Sequence, residues 1–258
     1  MHEDQQAYVI LEYHHQWLEI TLNRPESFNA LSKRMMFELQ EAINLAHHQD
    51  TLTCIVIKAK GKAFCAGHDL KEMQNHATQD FYQGLFKQCS QLMQSIVQCP
   101  VPVIAAVQGV ATAAGCQLVA SCDLAIASSG ARFAVSGINL GLFCSTPAVA
   151  LSRNIHPKHA LEMLLTGDFI SADKALGFGL INQVVTDDEL EETTRAMAYK
   201  LSQKANAAVR TGKAMFYPQL DMPLKQAYEY ASEHMLNNLK DEQTQLGLNA
   251  FVFKKPKN

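Results

Sequence analysis

Three short apolar runs, TCIVIKA (residues 53–59), VPVIAAVQG (101–109) and CDLAIAS (122–128), set the tightest limit on what this chain can fold into. The first lacks the polar alternation of a strand with one face in water, so it reads as a strand covered on both faces, and the other two read as strands like it. Helical stretches separate them: a polar, glutamine-rich segment from Asp80 to Gln98 with spaced apolar residues, then AAGCQLVASCD, residues 113–123. Strands alternating with helices predict parallel pairing through crossover helices, and so an α/β fold.

The flanking sequence fits that frame. YVILEYHHQWLEITLN is rich in β-branched and aromatic residues and reads as a hairpin or two short strands. NRPESFNALS is a turn-rich loop, after which Ser32 caps a helix with Met36, Leu39, Ile43 and Ala46 at helical spacing. KGKAFCAGHDL reads as a loop. From Thr146 onward the pattern is almost wholly helical, and the acidic run DDELEE reads as the solvated, dipole-favoured start of one of those helices. No linker interrupts the chain. We expect a core over residues 1–195 and a helical region over 196–258, with a soft boundary.

At 258 residues and 48% hydrophobic the chain has material for one large core. A formal net charge of −3 gathers neither nucleic acid nor anionic lipid, and no run approaches the ~20 apolar residues of a membrane span. The opening residues resemble neither a secretory signal nor an Arg-rich transit peptide. Seven cysteines at irregular spacing, several within apolar runs, read as reduced, core-filling thiols, and with the opening residues they lead us to expect a cytoplasmic location. His14-His15, His47-His48 and the His156/His159 pair lack a third ligand or a metal-site spacing and are expected at the surface, so no metal site is expected.

Two loops can carry chemistry. In AFCAGHDL the chain turns through Ala66-Gly67-His68, where Gly67 permits a positive φ or a close approach to a ligand. In GVATAAGCQL the residues Ala113, Ala114 and Gly115 open a helix whose first N–H groups are unused. Such donors beside a second free N–H can hold a developing oxyanion, although either loop alone reads equally as tight helix–sheet packing. Gln117, in so apolar a stretch, is either a satisfied amide or a group contacting substrate or water.

Taken in order, LNRPESFNALS, AFCAGHDLKEM, PVIAAVQGVATAAGCQLVASCDLAIAS, ARFAVSGINLGL and LEMLLTGDFISADKALGFGLINQVV resemble the crotonase (enoyl-CoA hydratase/isomerase) superfamily, from about Val9 to Lys255. Within it, GINLGLFCSTPAVALSR is most similar to the enoyl-CoA hydratase domain-containing protein 3 type. The resemblance implies a spiral of ββα units with a helical C-terminal region, assembled as a homotrimer or hexamer. Apolar faces such as Met215/Phe216 and Phe251/Phe253 are in keeping with that assembly. It implies an acyl-CoA thioester as ligand, with coenzyme A part of the substrate and no separate cofactor. It places the oxyanion donors at the N–H groups of His68 and Ala114. Ala66, Asp69 and Leu70 would form the adenine pocket, and Lys71 would approach the CoA phosphates. The usual basic residue of the first loop is replaced by Glu26.

The resemblance breaks at two glutamates that manage water in typical hydratases. Their positions correspond to Gln117 and Gly137, the latter also lining the substrate, and neither is a carboxylate here. A standard hydratase is therefore not expected, because one general acid or base contributes ~10²–10⁴ in rate. Isomerisation, thioester hydrolysis, decarboxylation or binding without turnover stay open. The His68 imidazole is expected to turn toward solvent, with proton transfer as its alternative. Cys144 reads as structural, since a nucleophilic thiol needs a base and none is apparent.

Overall fold

The apolar run TCIVIKA forms β3, Cys54–Ala59, near the middle of a six-stranded sheet in a computed structural model that describes residues 6–253. Residues 1–5, part of the opening stretch read above, and 254–258, the end of the expected helical region, lie outside the described residues.

A hairpin starts the sheet. β1 (Val9–Tyr13) pairs antiparallel with β2 (Trp17–Leu22), and β2 pairs parallel with β3. Beyond β3 follow β5 (Val103–Val107), β7 (Leu124–Ser128) and β10 (Gln183–Val185), all parallel. Alternation along β3 sends Ile55 and Ile57 into the main core, while Cys54 and Val56 pack on the opposite face against Met197, Ala198 and Leu201 of α8 (Leu190–Ser202). Both faces of β3 are thus covered, which is why its sequence shows no polar alternation. α8 runs through residue 195 without a break.

A second sheet, not anticipated above, contains β4 (Ala63–Cys65), β6 (Val110–Thr112), β8 (Arg132–Ala134) and β9 (Ile170–Ser171). β4 lies inside the segment expected as a loop. The spiral is built from this arrangement: a long strand in the large sheet, a three-residue strand in the small one, then helix. The first unit is β3–β4 followed by α2 (Leu70–Asn75) and α3 (Gln79–Gln98), and the second is β5–β6 followed by α4 (Ala114–Ser121). The third is β7–β8 followed by α5 (Ser145–Asn154). Three-residue strands carry too little periodicity to be read from sequence.

The C-terminal third is less uniformly helical than expected, because β9 and β10 each complete an edge of a sheet. α6 (Pro157–Thr166) precedes β9, α7 (Ala172–Phe178) lies between the two strands, and α9 (Asn206–Leu220), α10 (Leu224–Leu239) and α11 (Glu242–Val252) follow α8. Ser32 caps α1 (Lys33–Asn44), its hydroxyl accepting the Met35 N–H at 3.2 Å. The DDELEE run opens with a capping box between Thr186 and Glu189. Among the described residues no helix is long and apolar enough to cross a membrane.

Candidate active site

β4 and β6 are parallel neighbours, Ala63 opposite Val110 and Cys65 opposite Ala111, so the loops leaving their C-terminal ends emerge side by side. Gly67 has φ +91°, and a Cβ there would lie 2.9 Å from Ala113 Cβ and 3.2 Å from the Ala114 nitrogen. Only glycine serves at that contact. The first turn of α4 is seated as closely, since a Cβ on Gly115 would stand 2.1 Å from the Cys65 carbonyl oxygen. Ala113 between them has φ 51° and ψ −120°, a conformation costing an alanine ~1–3 kcal/mol. It is held by Ala113 N–H donating to Ala134 O and Gln117 N–H donating to Ala113 O, both at 3.0 Å.

Some of the backbone donors around the contact are used. Ala66 N–H donates to Phe28 O at 3.0 Å and Asp69 N–H to Leu31 O at 3.2 Å. Among the described residues the N–H groups of His68 and Ala114 have no backbone acceptor, nor do those of Gly67, Gly115 and Cys116. Two unpaired donors on touching loops can hold one oxygen as negative charge develops on it.

Gln117 lies on the first turn of α4, 4% exposed, and its Oε1 has no hydrogen-bond partner. The His68 imidazole corrects the expectation that it turns to solvent. It packs edge-on to Phe86 of α3 at 5.6 Å, its Nε2 is shielded and unpartnered, and burial pushes its pKa down to about 4. The ring is neutral at pH 7. The close contact of loop and α3 decides this, which spacing along the chain does not report.

Gly137 begins the turn after β8, in a short 3-10 helix over Ser136–Leu140, and any side chain there is excluded. A Cβ would stand 2.6 Å from the Leu142 carbonyl oxygen and 2.7 Å from Cys144 Sγ. The Cys144 thiol fills that space, pushed up in pKa by burial against the opposing effect of the Gly137 backbone. All seven cysteines are free and buried, and burial pushes Cys65 and Cys116 up to about 12.

Asp69 caps α2, Oδ1 accepting the N–H groups of Lys71 and Glu72, while Oδ2 pairs with Arg24 Nη1 at 3.1 Å. Leu70 and Lys71 are exposed on the same turn. Arg24, stacked on Tyr8 at 4.5 Å, is a cation that the sequence reading passed over beside Glu26. A hydroxyl pair was also missed. Thr112 Oγ1 and Ser136 Oγ stand 2.9 Å apart, brought together by the β6–β8 pairing rather than by any spacing.

The histidine expectation is corrected at His14. Cross-strand pairing sets Glu12 opposite Glu19, and one ligand atom from each of Glu12, His14 and Glu19 falls within 4.8 Å of the others. Glu19 is nevertheless engaged by Arg195 at 2.9 Å and 3.3 Å and by Lys58, which makes the group an ion-pair network tying α8 to the sheet.

A family profile described as enoyl-CoA hydratase/isomerase matches residues 12–258. The mitochondrial enoyl-CoA hydratase domain-containing protein 3 of Mus musculus is 47% identical over 92% of this chain and 79% of its own length. A crystal structure of enoyl-CoA hydratase from Mycobacterium smegmatis superposes with TM-score 0.94 at 48% identity, over 97% of this chain and 98% of that one. The crystal structure of human enoyl-CoA hydratase domain-containing protein 3 gives TM-score 0.93 at 44% identity, over 97% and 99%. The cytoplasmic expectation is overturned, since the mouse relative and its counterparts in four other vertebrates all carry mitochondrial names. Buried reduced thiols require only a reducing compartment, of which the cytoplasm is one.

Proposed function

The chain belongs to the enoyl-CoA hydratase/isomerase family, and from that premise we propose that it binds acyl-CoA thioesters and stabilises a thioester enolate between the N–H groups of His68 and Ala114. The observation carrying this reading is that both donors are unpaired on loops held in contact at Gly67. When a proton leaves the carbon beside the thioester carbonyl, charge moves onto the carbonyl oxygen. Fixed N–H dipoles stabilise it without reorganising, each worth ~10²–10³ in rate. In this reading Ala66 and Leu70 border the adenine, Asp69 holds that turn through its cap and Arg24, and exposed Lys71 reaches the phosphates. Gly137 lines the acyl space with backbone alone. Coenzyme A is part of the substrate.

Proton transfer is the weak point. Gln117 neither takes nor gives a proton as a carboxylate does, and Gly137 has no room for a side chain, so efficient crotonyl-CoA hydration is not expected. That observation favours a second reading: the same donors serve a different CoA-ester reaction, namely isomerisation, thioester hydrolysis or decarboxylation, or they bind without turnover. The exposed apolar residues Phe216, Leu224, Tyr228, Met235 and Phe251 on the C-terminal helices suit burial against further copies, and we infer a homotrimer or hexamer.

The test is incubation with crotonyl-CoA, longer enoyl-CoAs and saturated acyl-CoAs, with products followed by mass spectrometry and binding by calorimetry. Acyl-CoA is expected to bind and the free acid not to. Equal affinity for thioester and acid overturns the reading.

A further inference from the structure

The His68 imidazole is held by packing. Its Nε2 is shielded and has no hydrogen-bond partner, while the ring meets Phe86 of α3 edge-on, centroids 5.6 Å apart at 71°. Aromatic pairs at this spacing and angle attract directionally, because the positive edge of one ring faces the negative face of the other. Tyr82, one helical turn before Phe86, lies near-parallel to it at 6.5 Å and 22°. The Tyr82 hydroxyl donates to Met73 O of α2 at 3.3 Å.

Leu31 anchors the backbone on one edge. Fully buried, it donates its N–H to Gly67 O at 2.7 Å and accepts from Asp69 N–H at 3.2 Å, a parallel bridge opposite His68. In such a bridge the residue between the two bonded groups turns its own N–H to the other edge. The His68 N–H is thereby aimed away from Leu31, without a backbone acceptor among the described residues. How far this peptide can rock about the bridge depends on what holds the side chain and the chain that follows. α2 follows at once and buries no residue of its own. Besides the Asp69 cap, α3 grips the 68–73 segment at both ends, Phe86 through the His68 ring and Tyr82 through Met73 O.

We propose that Phe86 is a positioning residue: by packing on the His68 ring it fixes the angle at which the His68 N–H meets the thioester carbonyl oxygen. This rests on the reading of the site given above. The imidazole serves here as a ring and not as an acid or base. Misaiming the donor is costly, because a fixed dipole stabilises developing charge only where it already points.

The test is infrared difference spectroscopy of butyryl-CoA, isotopically labelled at the carbonyl carbon, bound to the full-length protein. It reads donor strength at the thioester carbonyl without requiring turnover. The wild type is expected to lower the carbonyl stretching frequency on binding. Phe86→Leu keeps apolar volume but removes the ring, and should lose about half of that lowering or more, with affinity by calorimetry within about threefold. His68→Ala should match it. His68→Phe should retain most of the lowering, because it keeps a ring against Phe86. Combining Phe86→Leu with His68→Ala should do no more than either alone. Thermal melting checks each fold, and if Phe86→Leu does not fold, the contrast of His68→Ala with His68→Phe decides. Full lowering in a folded Phe86→Leu or a folded His68→Ala overturns the proposal, as do losses that add in the double variant. A wild type that does not bind the thioester, or binds it without lowering the frequency, overturns the donor reading itself. Wild-type lowering that no variant alters leaves that reading standing and removes only the role of Phe86.

Discussion

A Cβ on Gly137 would stand 2.7 Å from Cys144 Sγ, which places the thiol where a side chain at residue 137 would begin. Gly137→Ala is therefore expected to lower stability by about 1–3 kcal/mol through overpacking. A Cys144→Ala background should recover only part of the loss, because the Leu142 carbonyl oxygen remains 2.6 Å away. Urea unfolding of the three variants measures this, and an unchanged Gly137→Ala midpoint would count against the crowding.

The crowding also limits any attempt to restore hydration. Gln117→Glu supplies one carboxylate without a partner at residue 137. Crotonyl-CoA hydration should rise by about tenfold at most, short of the ~10²–10⁴ of a full acid or base. Burial holds the new carboxyl above the usual carboxylate range, so a base role gains toward higher pH. A pH profile of kcat/KM for both proteins reads the effect, and a gain largest at acid pH would contradict that role.

Gly67→Ala puts a methyl 3.2 Å from the Ala114 nitrogen at a backbone φ of +91°. The loops must separate, and under the proposed reading the two donors would no longer share one oxygen. Turnover of whichever acyl-CoA proves to be a substrate should fall by ~10²–10³. Retention of full kcat by a folded variant would remove the donor pair from the mechanism.

Lys213 on α9 donates to Asp123 Oδ2 at 2.5 Å, to Ile96 O at 2.9 Å and to Val101 O at 3.0 Å, while Tyr217 donates to Asp123 Oδ1 at 2.7 Å. These bonds fasten the C-terminal helices to β5 and the end of α3. Lys213→Met strands a largely buried carboxylate and should cost about 3–5 kcal/mol. Adding Asp123→Asn should return part of it. Urea denaturation gives the comparison, and additive single effects would mean the two residues are uncoupled.

Glu19 is 1% exposed. Burial alone would raise its pKa, but the Arg195 and Lys58 hydrogen bonds and charges outweigh it and hold the carboxyl at about 2, against 4.5 ordinarily. The folded value lies below the unfolded one, so its stabilisation is present above pH 4.5 and is lost as pH falls toward 2. The stake is roughly 3 kcal/mol. Glu19→Gln should be less stable at pH 7 and should lose less stability across that window. Unfolding free energies at several pH values test it.

Local patterns announced much of the molecule. The unalternating run of β3, the Ser32 cap and the helical spacing of α1 and α3 depend on residues a few positions apart, where propensity and burial leave direct marks on sequence. The family motifs around Gly67 and Ala114 were legible for a related reason, since a close backbone approach admits few residue types.

What the sequence left open is fixed by register. Glu12 faces Glu19 because a hairpin pairs them, and Thr112 meets Ser136 because β6 lies beside β8. Arg195 reaches Glu19 across 176 residues. The inward turn of His68 and the closed space at Gly137 likewise depend on how α3 and the Leu142–Cys144 segment pack. Residue identity determined which side chains could make these contacts. Distances between segments remote in the chain arise only when sheets and helices assemble, so the tertiary structure alone decided which contacts form and which polar atoms stay unpaired.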